Sequence, residues 1–265
     1  MEGGCARVPG GDPLTPALRL RELRRSFLVG FGFSRREVLT GIDLDLEAGA
    51  TLGLAGPNGS GKSTLLRILA GVDRAFSGEL LVLGGSPRDS SVRRRVGYLS
   101  EESPFPPELT ARSALDLLGS LQGLSRAERK SEGARLLELV GLRGEERHRL
   151  GRFSRGMLRR FGLAQAALGR PDLLLLDEPT AGLDAQGFDV LASLLAEARV
   201  RGAAVVLASH LIGDLRDSCD ELAVLLGGTI AVRGRPRVLL EGRSLLDLYR
   251  AGGQRAPSAE PGART

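Results

Sequence analysis

The chain has 265 residues, of which 42% are apolar and 26% charged. That length and balance exclude disorder, collagen and coiled-coil arrays as whole-chain descriptions and allow a sizeable buried core. The net charge of +5 is carried almost wholly by arginine, since Lys62 and Lys130 are the only lysines, and 4% aromatics without Trp give no support to base-stacking platforms, so no nucleic-acid partner is expected. The spread of arginines reads either as composition bias or as a basic face suited to an anionic membrane surface.

Residues 1–17 are rich in Gly and Pro and read as a disordered leader. Arg24-Arg25-Ser26-Phe27-Leu28 resembles a twin-arginine export signal. The apolar stretch Phe27 to Phe33 is short, meets Arg35-Arg36, and has no small-residue cleavage site after it, so export is rejected. No apolar run approaches the roughly 18–20 residues that a spanning helix needs. Cys5 and Cys219 form neither a disulfide framework nor a zinc spacing and read as reduced thiols.

Short runs of strand length follow at Thr51–Ala55, Val96–Ser100, Leu173–Asp177, Ala204–Ser209 and Leu222–Leu226. Most are apolar throughout instead of alternating, as expected for parallel strands covered on both faces. Ser63–Ala70, Gly156–Leu168 and Phe188–Arg199 carry helical spacing, so strands alternate with helices and an α/β fold is expected. Between about Pro106 and Leu168 strand signals are missing, and the periodicity of Ala114–Leu121 and Ala134–Val140 predicts a helical insert. The stretch from 244 to 265 reads as a C-terminal tail, unpatterned from about Ala251.

Gly56-Pro57-Asn58-Gly59-Ser60-Gly61-Lys62-Ser63-Thr64 fits the phosphate loop G-x-x-x-x-G-K-[ST], between a strand and a helix as that motif requires. Its glycines let backbone N–H groups turn toward phosphate oxygens at a helix N-terminus. Lys62 is expected at the β/γ-phosphates and the Ser63 hydroxyl on Mg²⁺. Leu173–Leu176 deliver Asp177 and Glu178 to the C-terminal end of a strand, where ligands sit in open α/β sheets. There Asp177 would hold Mg²⁺ through water and Glu178 would polarise an attacking water.

Phe153-Ser154-Arg155-Gly156-Met157, followed by Ala164–Leu168, resembles the signature segment of ATP-binding cassette (ABC) ATPases, although only Ser154 and Gly156 match its usual L-S-G-G-Q strictly. Asp177-Glu178-Pro179-Thr180-Ala181-Gly182-Leu183-Asp184 resembles the Walker B and D-loop run of that family, and Ala208-Ser209-His210 its switch histidine. The resemblance implies a P-loop NTPase (RecA-like) core with a mainly parallel sheet, an N-terminal antiparallel β part and a helical subdomain at about 104–168, all within an ABC ATPase domain at 18–243. It implies ATP and Mg²⁺ as cofactors. A second ABC ATPase subunit, expected as a homodimer, would pack head to tail. Ser154 and Gly156 of one subunit would then face the γ-phosphate held by the other, with Asp184 communicating across the interface. His210 would steady the attacking water, and Phe33, with Phe31 as competitor, would stack on adenine.

Two departures stand out. Where the family places a glutamine after the strand Val96–Ser100, this chain has Glu101, which is expected to keep the role toward Mg²⁺ and the attacking water. Arg155 replaces a signature Gly and reads equally as a phosphate contact or as a solvent-facing residue. Cassettes of this family mostly drive transporters. The resemblance therefore implies a separate transmembrane permease subunit, gripped by Ser103–Thr110 and the insert, and a cytoplasmic location, peripheral on the inner face of the cell membrane. Leu109–Ser113, Phe153–Met157, Ser209–Leu211 and Cys219-Asp220 are similar to the ABC-2 export type, a pattern that haem-exporter ATPases of cytochrome maturation share in part. A non-transport soluble ABC ATPase is the further alternative. The stretch between Lys62 and Gly156 is too short for the long coiled coil of repair-type members.

Overall fold

The computed structural model describes residues 16–30, 34–102, 104–210, 215–242 and 245–253. Two sheets are stacked. The smaller is antiparallel, with strand order β2-β1-β4, from β1 (Leu18–Val29), β2 (Ser34–Leu46) and β4 (Ser77–Val82). The larger has the order β5-β6-β7-β3-β8-β9. Its strands are β3 (Thr51–Ala55), β5 (Val96–Leu99), β6 (Leu173–Asp177), β7 (Ala204–Ser209), β8 (Glu221–Leu226) and β9 (Thr229–Gly234). All its pairings are parallel except that of β9 with β8.

The apolar strands expected from the sequence are all present, and their burial explains their composition. Every residue of β3, β6 and β7 is buried. Along β6 the side chains alternate between two cores. Leu173 and Leu175 pack with Leu52, Leu54, Leu65 and Leu66, toward the antiparallel sheet. Leu174 and Leu176 pack with Phe161, Leu163 and Leu194, toward the helices. Both faces are covered, so neither needs polar residues.

Helix α1 (Lys62–Leu69) follows β3, a short α2 (Ser90–Arg93) precedes β5, and α6 (Ala185–Val200) connects β6 to β7. The insert between β5 and β6 is helical, as expected: α3 (Ala111–Leu121), α4 (Arg126–Leu139), a 3-10 turn at Leu150–Arg152 and α5 (Arg155–Ala167). Capping boxes start α3 and α4. Thr110 Oγ1 accepts from the Ser113 amide at 3.1 Å, and Glu128 reaches back to the Ser125 amide at 2.7 Å. Helix α5 lies directly on β5. A Cβ on Gly97 would stand 1.9 Å from the Ala166 carbonyl oxygen, so only glycine permits this approach.

Two short helices close the described chain, α7 (Pro236–Leu239) and α8 (Leu245–Gly253). The second falls within the stretch 244–265 set apart as a tail. Its Leu248 is buried among core residues and Tyr249 packs beside it, so the structured domain runs past residue 243. The sequence hides this because a single buried turn gives no sustained period.

The register fixes the functional end of the sheet. Ala55 pairs with Ser209, Asp177 with Ala208, and Leu99 with Leu176. The residues that follow these strands therefore emerge side by side at one edge.

Candidate active site

The loop after β3 is shaped by what its glycines exclude. A Cβ on Gly56 would meet Ser60 Oγ at 2.5 Å and the Leu225 carbonyl oxygen at 2.6 Å. Gly61 sits at φ +109, in the left-handed region that glycine adopts without strain, and provides no side-chain cap to α1. The first amides of α1 are thus left for an outside acceptor, at the positive end of the helix. Pro57, Asn58 and Gly59 are exposed at the mouth, while Ser60, Gly61 and Lys62 are buried.

Lys62 Nζ donates to the Gly56 carbonyl at 2.7 Å and stands 3.6 Å from Glu178 Oε1. The other Glu178 oxygen, Oε2, lies 2.9 Å from His210 Nδ1 and 3.4 Å from the His210 amide nitrogen. A carboxylate can only accept, so His210 Nδ1 carries the proton and donates. Glu178 is buried, whereas the His210 side chain is half-exposed. Glu178 also has φ +46, a conformation rarely held by a non-glycine residue and concentrated at functional sites.

Asp177 is almost fully buried. Burial holds its carboxyl above the ordinary range; the Ser63 hydroxyl opposes that through a hydrogen bond, Glu101 and Glu178 add to it, and Lys62 works against it. Its Oδ1 is buried without a hydrogen-bond partner, and so is Ser60 Oγ. Among the described residues no three His, Cys, Asp or Glu side chains form a metal-binding group. A hydroxyl, an unpartnered carboxylate oxygen and a neighbouring second carboxylate nevertheless suit a hard divalent cation that takes its remaining ligands from phosphate and water.

These groups surround a cleft of about 590 Å³ lined by Asn58–Thr64, Glu101 and Glu178 together with Phe27, Val29, Arg36 and Val38. The structure thus gathers the phosphate loop, Glu101, Asp177, Glu178 and His210 into one site. Phe33 and its competitor Phe31 lie outside the described residues. Among the described residues, Phe27 is the aromatic at the cleft, and the Arg25 guanidinium lies 4.0 Å over its ring.

Three expected residues stand apart. Ser154 caps α5, its Oγ accepting from the Met157 amide at 3.2 Å, and Asp184 caps α6, accepting from the Gly187 amide at 2.8 Å. A Cβ on Gly156 would lie 3.8 Å from Asp184 Oδ2. Ser154, Gly156 and Asp184 form their own cluster and do not line the cleft. Ser154, Arg155 and Asp184 are exposed there.

A family profile described as "ABC transporter" matches residues 39–181, more than half of the chain. The Nod factor export ATP-binding protein I of Rhizobium meliloti is 32% identical over 247 residues, covering 91% of this chain and 72% of that protein. The chain belongs to the ABC transporter ATP-binding family. An uncharacterized ABC transporter ATP-binding protein of Synechocystis sp. is 36% identical over 216 residues, or 80% of this chain. The match spans 61% of that protein, so this cassette corresponds to less than two thirds of its length. Among solved structures, the ATP-binding subunit of an ABC transporter superposes with a TM-score of 0.79 at 27% identity, covering 89% of this chain and 99% of that one.

Sequence reasoning missed one buried residue at this ABC site. Arg159, on α5, donates to the backbone carbonyls of Ser100 at 2.8 Å and Glu101 at 3.1 Å. It also donates to Asp177 at 2.6 Å, Pro179 at 3.3 Å and Glu178. No local signal could have found it: Arg155, Arg159 and Arg160 read alike in the sequence, although Arg159 and Arg160 are buried and Arg155 is exposed.

Proposed function

We propose that this chain hydrolyses ATP as the cassette subunit of an ABC-2 type exporter and drives a separate transmembrane permease. The observation that carries this reading is the convergence of Lys62, Asp177, Glu178 and His210 at one sheet edge, with Glu178 Oε1 3.6 Å from Lys62 and Oε2 2.9 Å from His210. Helix α1 and the amides of Asn58–Thr64 receive the β- and γ-phosphates, and Lys62 exchanges the Gly56 carbonyl for phosphate oxygens. Ser63, Asp177 and Glu101 would hold Mg²⁺, which supplies neutralisation of charge on the phosphates. The buried, unpartnered Asp177 Oδ1 supports that assignment.

Glu178 accepts a proton from the attacking water. His210 keeps the carboxylate turned toward that water through its Nδ1–H. Phe33 is the proposed adenine contact. The exposed cluster of Ser154, Gly156 and Asp184 supports a head-to-tail homodimer in which this half-site caps the nucleotide of a second copy. Loss of the γ-phosphate removes the charge that joins the subunits, and the opening is passed to the permease. Among the described residues no helix is long and apolar enough to cross a membrane, which fits a subunit bound peripherally to the inner face of the cell membrane. The export assignment rests on likeness to Nod factor export proteins.

Glu178→Gln tests the reading. Phosphate release is expected to fall about 10²–10⁴-fold, while ATP with magnesium converts the variant to a dimer on size-exclusion chromatography. Turnover at the wild-type rate would overturn the base assignment. A variant that stays monomeric at saturating nucleotide would overturn the dimer.

A further inference from the structure

We propose that Arg159 is a positioning residue that locks the ends of β5 and β6 together and ties both to the helix that begins at the signature segment. The inference rests on the reading of Glu178 as base and of Asp177 and Glu101 as metal ligands, and it extends that reading to a residue outside the cleft.

The geometry is unusual for an arginine. Arg159 is buried, and its hydrogen-bond partners are backbone carbonyls: Ser100 and Glu101 at the end of β5, Asp177, Glu178 and Pro179 at the end of β6. Buried arginines normally find a carboxylate. Here the charge is sustained at longer range. Burial lowers the proton affinity of the guanidinium, and the fields of Asp177, Glu101 and Glu178 oppose that. Five donors in a rigid plane suit two converging strand ends, and the three donors of an ammonium do not.

What this arrangement does follows from the backbone at Glu178. Its φ of +46 is a strained conformation for a non-glycine residue and persists only where surrounding contacts over-determine it. Arg159 Nη2 binds the carbonyls on both sides of that residue's N–Cα bond, Asp177 O and Glu178 O. On the strand side, the Glu178 amide donates to the Ala208 carbonyl at 2.9 Å. Arg159 therefore holds the base in its strained conformation and, through the Ser100 and Glu101 carbonyls, sets the spacing between Glu101 and Asp177. Its own helix is capped by Ser154 and contains Gly156. A shift of the signature end of α5 thus reaches the catalytic carboxylates of the same chain through one side chain.

The test uses the full chain with Arg159→Gln and Arg159→Lys. Steady-state ATPase rates, nucleotide affinity and thermal unfolding are measured beside Glu178→Gln. Arg159→Gln is expected to lower kcat about 100-fold, as misplacement of catalytic groups by about 1 Å does, with nucleotide affinity within about threefold. Arg159→Lys keeps the charge without the fork, so kcat should fall about tenfold.

A purely structural role would lower the unfolding temperature and leave kcat per folded molecule unchanged, and that result overturns the proposal. If Arg159→Gln does not fold, the rate of Arg159→Lys decides alone, and a wild-type kcat there overturns it. Wild-type turnover by Glu178→Gln would instead remove the reading on which the inference stands.

Discussion

The phosphate-loop half of the site and the signature half are built to different standards. Around Lys62, Asp177 and Glu178 the side chains are buried, Lys62 is paired with Glu178, and the two carboxylates are held by strand ends in register. Around Ser154, Gly156 and Asp184 the side-chain oxygens cap helices, and Ser154 and Asp184 lie exposed away from the cleft. One half is preorganised within a single chain, while the other lies outside the cleft that the first half lines. The contrast teaches that chemistry and control are separable here. Reacting groups are fixed at folding, and in the function proposed above their completion is left to an encounter between copies.

The strongest way to break this contrast is Lys62→Ala. It removes a charge-assisted contact worth about 1.5–3 kcal/mol, so nucleotide affinity should fall about 10–150-fold in a titration with a fluorescent ATP analogue. Unchanged affinity would dissolve the preorganised half. Ser154→Ala attacks the other half. Loss of the cap should lower stability by about 1 kcal/mol and weaken ATP-driven dimerisation of the Glu178→Gln background in sedimentation, while monomer affinity for nucleotide stays the same. A drop in monomer affinity would mean that the halves are not separate.

Asp177→Asn sharpens the picture of stored cost. The buried carboxyl is held above its ordinary range, so the ionised form destabilises the nucleotide-free protein at neutral pH. Removing the charge is expected to add about 1 kcal/mol and to raise Tm by about 2–4 °C, while turnover is lost. The folded state binds this proton more tightly than the unfolded state does. The stability gain of the variant is therefore full above the folded-state pKa and shrinks as pH falls through it, which calorimetry across pH would check. The smallest effect is expected for Glu101→Gln, which keeps the oxygen ligand and should leave ATPase activity within about threefold. If Glu101→Ala is equally silent, Glu101 has no part in the site.

Much of this molecule was legible in the linear sequence for a simple reason. Strands β3, β5, β6, β7 and β8 are short, mostly buried runs, and the phosphate loop, Asp177-Glu178 and His210 follow directly after three of them. The antiparallel sheet was less legible from periodicity. Strand β1, LRLRELRRSFLV, buries Leu18, Leu20 and Leu23, breaks step at a register shift between Leu20 and Leu23, and carries arginines on its open face. The helix at Leu245–Gly253 is hard to tell from a tail in the sequence, because one buried turn resembles composition noise. Arg159 was invisible for a different reason. Its five carbonyl partners belong to strands distant in sequence, and no local pattern distinguishes a basic residue that bridges two strand ends from one that points into water.

The near absence of lysine has a practical consequence once the fold is known. Of the two lysine amines, Lys62 is buried against the Gly56 carbonyl, and Lys130 projects from the exposed side of α4. An acylating dye therefore meets one reachable ε-amine in the folded cassette, and the α-amine, being less basic, can be blocked first. A fluorophore at Lys130 would sit on the helical subdomain and report on its surroundings without any engineered cysteine.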